Sequence, residues 1–192
     1  MADKRIKKTK KYLKDTLIQL LNESPFEEIT VTRICQAADI SRITFYSHYS
    51  DKYDLVDEIF QDMIAIGKEQ YRQTEHDNNP NGEIVQGFIN VLTATLNLYY
   101  DQFRFFQHTN PDTNPYLAFT FFNHLLNTVE HHTCKESSHH KLKYSNRQIT
   151  GFLCFGLLGF INESQTEKMD VNQVQQASKM LLTDILEKGI LF

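Results

Sequence analysis

Three observations predict an all-α chain. Only seven Gly and four Pro interrupt 192 residues. Apolar residues recur three and four positions apart, with little of the strict alternation that marks strands. A hydrophobic content of 41% is enough for a packed helical core. The pattern divides into a three-helix N-terminal domain, residues 1–65, and a larger helical C-terminal domain, residues 66–192.

The first helix carries the apolar stripe Leu13, Leu17, Leu20 and Leu21, entered through a basic run. Thr30 then caps a second helix of about two turns, which buries Val31, Ile34, Cys35 and Ala38 at helical spacing. Asp39 and Ile40 form a tight turn, because Asp tolerates left-handed backbone and Ile40 plugs the space between helices. Ser41 caps a helix from Arg42 to Tyr49 whose inner face is Phe45 and Tyr49. Arg42, Ile43, Thr44, Tyr46, Ser47 and His48 are left facing outward. Asp51 caps the next helix, with Asp54 at the capping-box position and Lys52 in the first turn. Two short helices across a tight turn make a DNA-reading helix-turn-helix. On its second helix Arg42 and Thr44, with Thr32 beside them, can meet base edges, and Tyr46, Ser47 and His48 can reach phosphate oxygens. Lys52, beside exposed helix amides, is a candidate phosphate anchor.

Phe26, Thr30, Ile34, Ala37, Ala38, Ile40, Ser41, Thr44, Phe45, Tyr46, His48, Tyr49, Lys52 and Leu55 carry a family resemblance. On these residues the segment resembles the DNA-binding domain of the tetracycline-repressor (TetR) family of bacterial transcription regulators. The likeness is detailed from Thr9 to Met63 and architectural beyond. Asp39 departs from the family's turn glycine, and Ile43 stands where small residues or Pro are common. The resemblance implies a homodimer that addresses a near-palindromic double-stranded DNA operator, most often as a repressor. It also implies that Tyr46, His48 and Lys52 grip the DNA backbone. The candidate DNA-binding set is Thr30, Thr32, Arg33, Ser41, Arg42, Ile43, Thr44, Tyr46, Ser47, His48 and Lys52.

Charge distribution agrees independently. Residues 1–52 hold ten Lys/Arg and seven Asp/Glu, a net of +3, and the remaining 140 residues carry a net of −7. Lys4, Arg5, Lys7, Lys8, Lys10, Lys11 and Lys14 face only Asp3 within the first fourteen residues, a local attractor for phosphate. The basic, polar start leads us to expect no secretory leader, and the longest apolar run, Gly151 to Ile161, is short of the ~20 residues that cross a bilayer. A cytoplasmic protein is expected, with no membrane partner. Cys35, Cys134 and Cys154 cannot pair off completely and read as reduced packing residues. His131, His132, Cys134, His139 and His140 have the composition of a metal site but not the spacing of a zinc motif, so no metal is expected. Without a Gly-rich phosphate loop, a nucleophile elbow or an HExxH pair, neither an enzyme nor a cofactor is expected.

The C-terminal domain reads as a helix to about Arg72 that links it to the DNA-reading part, then a loop from Thr74 to Gly82. A helix from Glu83 to about Phe106 and another from Tyr116 to Thr133 follow. A polar loop, Cys134 to Lys143, leads to two final helices, Ser145 to Ser164 and Val171 to Lys188. The first of these two is apolar nearly all round, with Gly151, Gly156 and Gly159 thinning one side; the second has the stripe Val174, Ser178, Leu181, Leu182 and Ile185. A helix apolar all round needs partners on both faces, so a homodimer through the last two helices is expected. The aromatics Tyr99, Tyr100, Phe103, Phe105, Phe106, Tyr116, Phe119, Phe121, Phe122, Phe152 and Phe155 either line a pocket for a small apolar or aromatic effector or fill the core. The alternative to an effector-responsive regulator is a coactivator or adaptor whose C-terminal domain binds a protein partner.

Overall fold

A computed structural model describes residues 2–136 and 143–188, and side chains from Lys4 to Glu130 and from Lys143 to Lys188. Among the described residues there are nine α-helices and no strand: α1 (Ala2–Leu20), α2 (Val31–Ala37), α3 (Arg42–Tyr46), α4 (Lys52–Asn78), α5 (Ile84–Asp101), α6 (Phe103–Phe106), α7 (Pro115–Glu136), α8 (Asn146–Thr166) and α9 (Val171–Glu187). A single 3-10 turn, Phe26–Glu28, precedes α2. None of the described helices is long and apolar enough to cross a membrane. The metal reading of His131, His132, Cys134, His139 and His140 concerns side chains outside the described residues, as does 137–142 of the expected polar loop.

The chain forms two compact units, one of residues 1–62 with 103–121, the other of residues 63–102 with 122–192. In the first, Leu13, Leu17, Leu20 and Leu21 of α1 are buried with Ile34, Cys35, Phe45, Tyr49, Leu55, Ile59 and Phe60. Its aromatic centre joins segments far apart in sequence. Phe60 meets the Phe105 ring edge-on at 5.1 Å, and Phe121 lies 4.6 Å from Phe106. Three of the aromatics read as pocket or core, Phe105, Phe106 and Phe121, are therefore core of the first unit.

The second unit packs α5 against α9 and α8 against α9. Phe122, Leu125, Leu126, Val129 and Cys154 form one apolar cluster there, and Ile149 with Leu186 anchors a second. Ser145 and Asp170 cap α8 and α9 with complete capping boxes closed by Gln148 and Gln173. Gly67 lets α4 and α5 approach, since a Cβ there would sit 3.0 Å from Leu98 Cδ2.

Several boundaries differ from the sequence reading. α4 runs past Arg72 to Asn78, because Glu75 and Asn78, loop-like in composition, bond the side chain of Asn90, which is only 1% exposed. Its end falls just before Asn79, which precedes Pro80, where the proline ring disfavours helical backbone. The expected helix from Glu83 to Phe106 breaks at Gln102 (φ −108, ψ 27) into α5 and α6, and α6 buries Phe105 and Phe106 in the other unit's core. α7 reaches Glu136, so 134–136, expected in a loop, are helical.

Candidate nucleic-acid interface

Local chemistry builds the helix-turn-helix as the caps require. Thr30 Oγ1 accepts the Arg33 amide at 3.1 Å and opens α2. Asp39 takes φ 48, the left-handed geometry of the turn. Ser41 Oγ accepts the Thr44 amide at 3.0 Å and opens α3. The helix itself stops at Tyr46, with Ser47 and His48 in a tighter turn before buried Tyr49. Asp51 caps α4 through the amides of Tyr53 and Asp54, at 2.8 and 2.9 Å. The capping box is displaced: Asp54 accepts from the amide and hydroxyl of Ser50 rather than from the Asp51 amide. Those two bonds hold its carboxyl below the usual range.

α3 presents an unoccupied outer face. Ile43 is 83% exposed, and Arg42, Tyr46, Ser41, Ser47 and Thr32 are exposed as well. Thr44 and His48 are half-buried. Arg42 lies over the Tyr46 ring, 5.7 Å from the centroid, with Nη2 reaching the Tyr46 hydroxyl at 3.4 Å; that contact raises its pKa further. The Ser47 hydroxyl donates to the Thr44 carbonyl at 2.7 Å.

Two members of the expected set are held elsewhere. Arg33 donates to Ser24 Oγ at 2.7 Å and to Glu23 at 2.8 Å, tying α2 to the chain after α1. Lys52 turns its ammonium inward onto the carbonyls of Phe26 and Glu27, at 2.7 and 3.0 Å, with the Phe26 ring 4.5 Å away. Burial lowers its pKa, partly offset by Glu27. Two of its three N–H donors are thereby engaged.

Contacts invisible in the sequence support this surface from behind. Lys10 and Lys14 of α1 meet Glu58 of α4 at 2.6 and 3.1 Å, and Lys14 also meets Asp62. Burial works against the Glu58 charge, but the two lysines prevail and its pKa is lowered. Asn114, 4% exposed, accepts the Phe26 amide at 2.7 Å. A charge count along helical spacing could have flagged Glu58; nothing local marks Asn114.

The second unit holds a cavity of about 200 Å³ among α5, α7, α8 and α9. Leu92, Leu125, Leu157 and Phe160 are typical of its walls, and Thr95 and Ser178 bring hydroxyls. Of the aromatics read as pocket or core, only Phe152 lines it, joined by Phe88 and Phe160. Cys154 also faces it, its thiol pushed up to about 12 by burial and therefore neutral at physiological pH. A smaller cavity of about 40 Å³ shares Val91, Thr95, Leu125 and Val129 with the first and extends to Lys68 of α4.

Residues 15–59 match the model of the bacterial regulatory proteins of the tetR family. The match takes in α2, α3 and the start of α4, so the helix-turn-helix segment is of the tetR kind. The chain is 29% identical over 65 residues to the uncharacterized HTH-type transcriptional regulator YxbF of Bacillus subtilis (strain 168); the match covers 33% of this chain and 17% of that relative's length. Its fold is that of a putative TetR-family transcriptional regulator from Syntrophomonas wolfei (TM-score 0.74, 11% identity, covering 94% and 95% of the two chains). It is also that of the TetR-family repressor FadR of Thermus thermophilus, solved with lauroyl-CoA (TM-score 0.60, 18% identity, 90% and 92% covered). The tetR match over this segment supports DNA-binding regulation.

Proposed function

We propose that the protein is a homodimeric repressor that reads a near-palindromic operator with α3 and releases it when an apolar, chain-like molecule enters the cavity of the second unit. The observation that carries the effector reading is the cavity itself. Its walls are almost wholly apolar, and a second, smaller cavity on the other side of Val91 and Thr95 reaches Lys68, a setting that suits a linear chain with an anionic head better than a compact aromatic ring. The lauroyl-CoA held by the Thermus FadR is a ligand of this chemistry.

At the DNA, Arg42 and Thr44, with Thr32 alongside, read base edges. Tyr46, His48 and the remaining donor of Lys52 hold phosphates, while Thr30 and Ser41 fix the helices that present them. Dimerisation uses α8 and α9. Phe155 is 61% exposed and Leu181 49%, and Gly156 and Gly159 leave open space beside them. Two copies of that face can interdigitate, aromatic ring into glycine hollow.

Thermal melts with saturated fatty acids of graded length, lauroyl-CoA and small aromatic acids test the effector reading. Chain-length-dependent stabilisation, with the same compounds weakening operator binding, is expected. Stabilisation by compact aromatics alone would overturn the chain-like ligand. Stabilisation without any change in DNA affinity would overturn effector control and favour a protein partner as the signal.

A further inference from the structure

The larger cavity lies wholly within the second unit, and its polar groups are few enough to account for one by one. Among the described residues that line it there is no Lys, Arg, His, Asp, Glu, Asn or Gln. Thr95 and Ser178 supply hydroxyls and Cys154 a thiol, and hydrocarbon and aromatic side chains with Gly156 form the rest of the wall. Thr95 is 7% exposed and Ser178 5%, so both are removed from bulk solvent.

Each hydroxyl has its proton already committed. Thr95 Oγ1 donates to the Val91 carbonyl at 2.8 Å, and Ser178 Oγ donates to the Val174 carbonyl at 2.7 Å, with the Gln175 carbonyl at 3.2 Å. A carbonyl only accepts, so what these two side chains still offer is lone pairs. The thiol of Cys154, kept neutral by burial, is a weak donor. The cavity therefore accepts hydrogen bonds and donates almost none. A carboxylate would find neither a cation nor a strong donor inside it and would stay outside. Lys68 lines the smaller cavity, which shares Thr95 with the larger.

We infer that the molecule held in the larger cavity carries a hydroxyl on its apolar chain, and that this hydroxyl donates to Thr95 Oγ1 or Ser178 Oγ. That the cavity takes a ligand at all rests on the function proposed above; the hydroxyl narrows that ligand from a plain alkyl chain to a hydroxylated one. A hydroxyl entering a cavity without such acceptors would lose its bond to water, whereas here it exchanges one acceptor for another. A plain chain would cover the same two oxygens with hydrocarbon.

Displacement of a fluorescent apolar probe from the full chain by dodecanoic acid, its hydroxy isomers and their methyl ethers tests this. The ethers keep the oxygen and lose the proton. In the wild type at least one hydroxy isomer should bind about 5-fold tighter than dodecanoic acid, the gain one net hydrogen bond allows, and its methyl ether should lose that gain. Thr95→Val with Ser178→Ala should bring that isomer down to the affinity of the parent acid or below it, while dodecanoic acid binds as before. Neither substitution orphans a carbonyl, since Val91 and Val174 lie within α5 and α9 and are bonded along their own helices. Hydroxy isomers that bind no tighter than the parent overturn the inference, and that result needs no variant to fold. An ether as tight as its alcohol, or a preference that survives in the double variant, overturns it too. In those cases the chains still bind and the effector reading stands; binding of no compound at all overturns both.

Discussion

Arg42 leans over the Tyr46 ring on the exposed side of α3, held there without being buried. A guanidinium so placed can turn from the tyrosine to a guanine edge at little cost, since both faces are wet. Arg42→Ala should cost about 1–3 kcal/mol on the selected operator and little on scrambled duplex. Titrations of both duplexes check this, and an unchanged ratio between them would remove Arg42 as a base reader. Lys52 sits in the opposite situation, with two carbonyls satisfied by its ammonium. Lys52→Ala should lower folding stability by about 1–3 kcal/mol through those orphaned acceptors. It should also flatten the salt dependence of DNA binding by about 0.9 for each phosphate that is no longer neutralised. Denaturant melts and salt titrations separate the two effects, and a wild-type melt would refute the inward role. The caps Thr30 and Ser41 and the left-handed Asp39 were legible in the sequence because each acts within three residues of itself. The inward turn of Lys52 was not, because its acceptors lie 25 and 26 positions away.

α1 is fastened to α4 by charge as well as by its leucine stripe. Glu58 bridges Lys10 and Lys14, and Lys14 reaches Asp62. The folded pKa of Glu58 is depressed. Its contribution is therefore present above the unfolded value of about 4.3 and lost as pH falls through the folded value. Glu58→Gln should cost about 1 kcal/mol at neutral pH, as partly exposed pairs do, and should make the acid side of the stability curve shallower. Urea melts between pH 3 and 7 test this; parallel curves for wild type and variant would contradict it. At this scale the apolar stripes of α1, α8 and α9 were readable from periodicity. The ends of α4 and α5 were not: Asn90 satisfies polar residues that resemble a loop, and the burial of Phe105 and Phe106 outweighs the continuity of one long helix.

Across the whole molecule, a basic start and an acidic remainder fit a protein that meets DNA at one end only. The proposed dimer would present α3 twice, once in each copy. Leu157, Leu181 and Leu182 line the cavity, whereas Phe155 and Met180 are exposed and do not line it. Phe155→Glu with Met180→Glu should therefore leave the fold intact and give a monomer by light scattering at micromolar concentration, since charge cannot be buried unpaired in the joined face. A double variant that remains dimeric would move the interface elsewhere. That two aromatic-rich segments belong to different units could not be read from the sequence, because core and pocket aromatics share the same helical spacing.

If the exposed face of α3, repeated by a two-fold axis, reads DNA, the sequence it prefers is itself two-fold. Selection of bound duplexes from a random pool, followed by sequencing, measures it most directly. Two inverted half-sites should be enriched, their centres about 34–36 Å apart, one helical turn, or a multiple of it. A pool that stays random, or that converges on a single unpaired half-site, would contradict it.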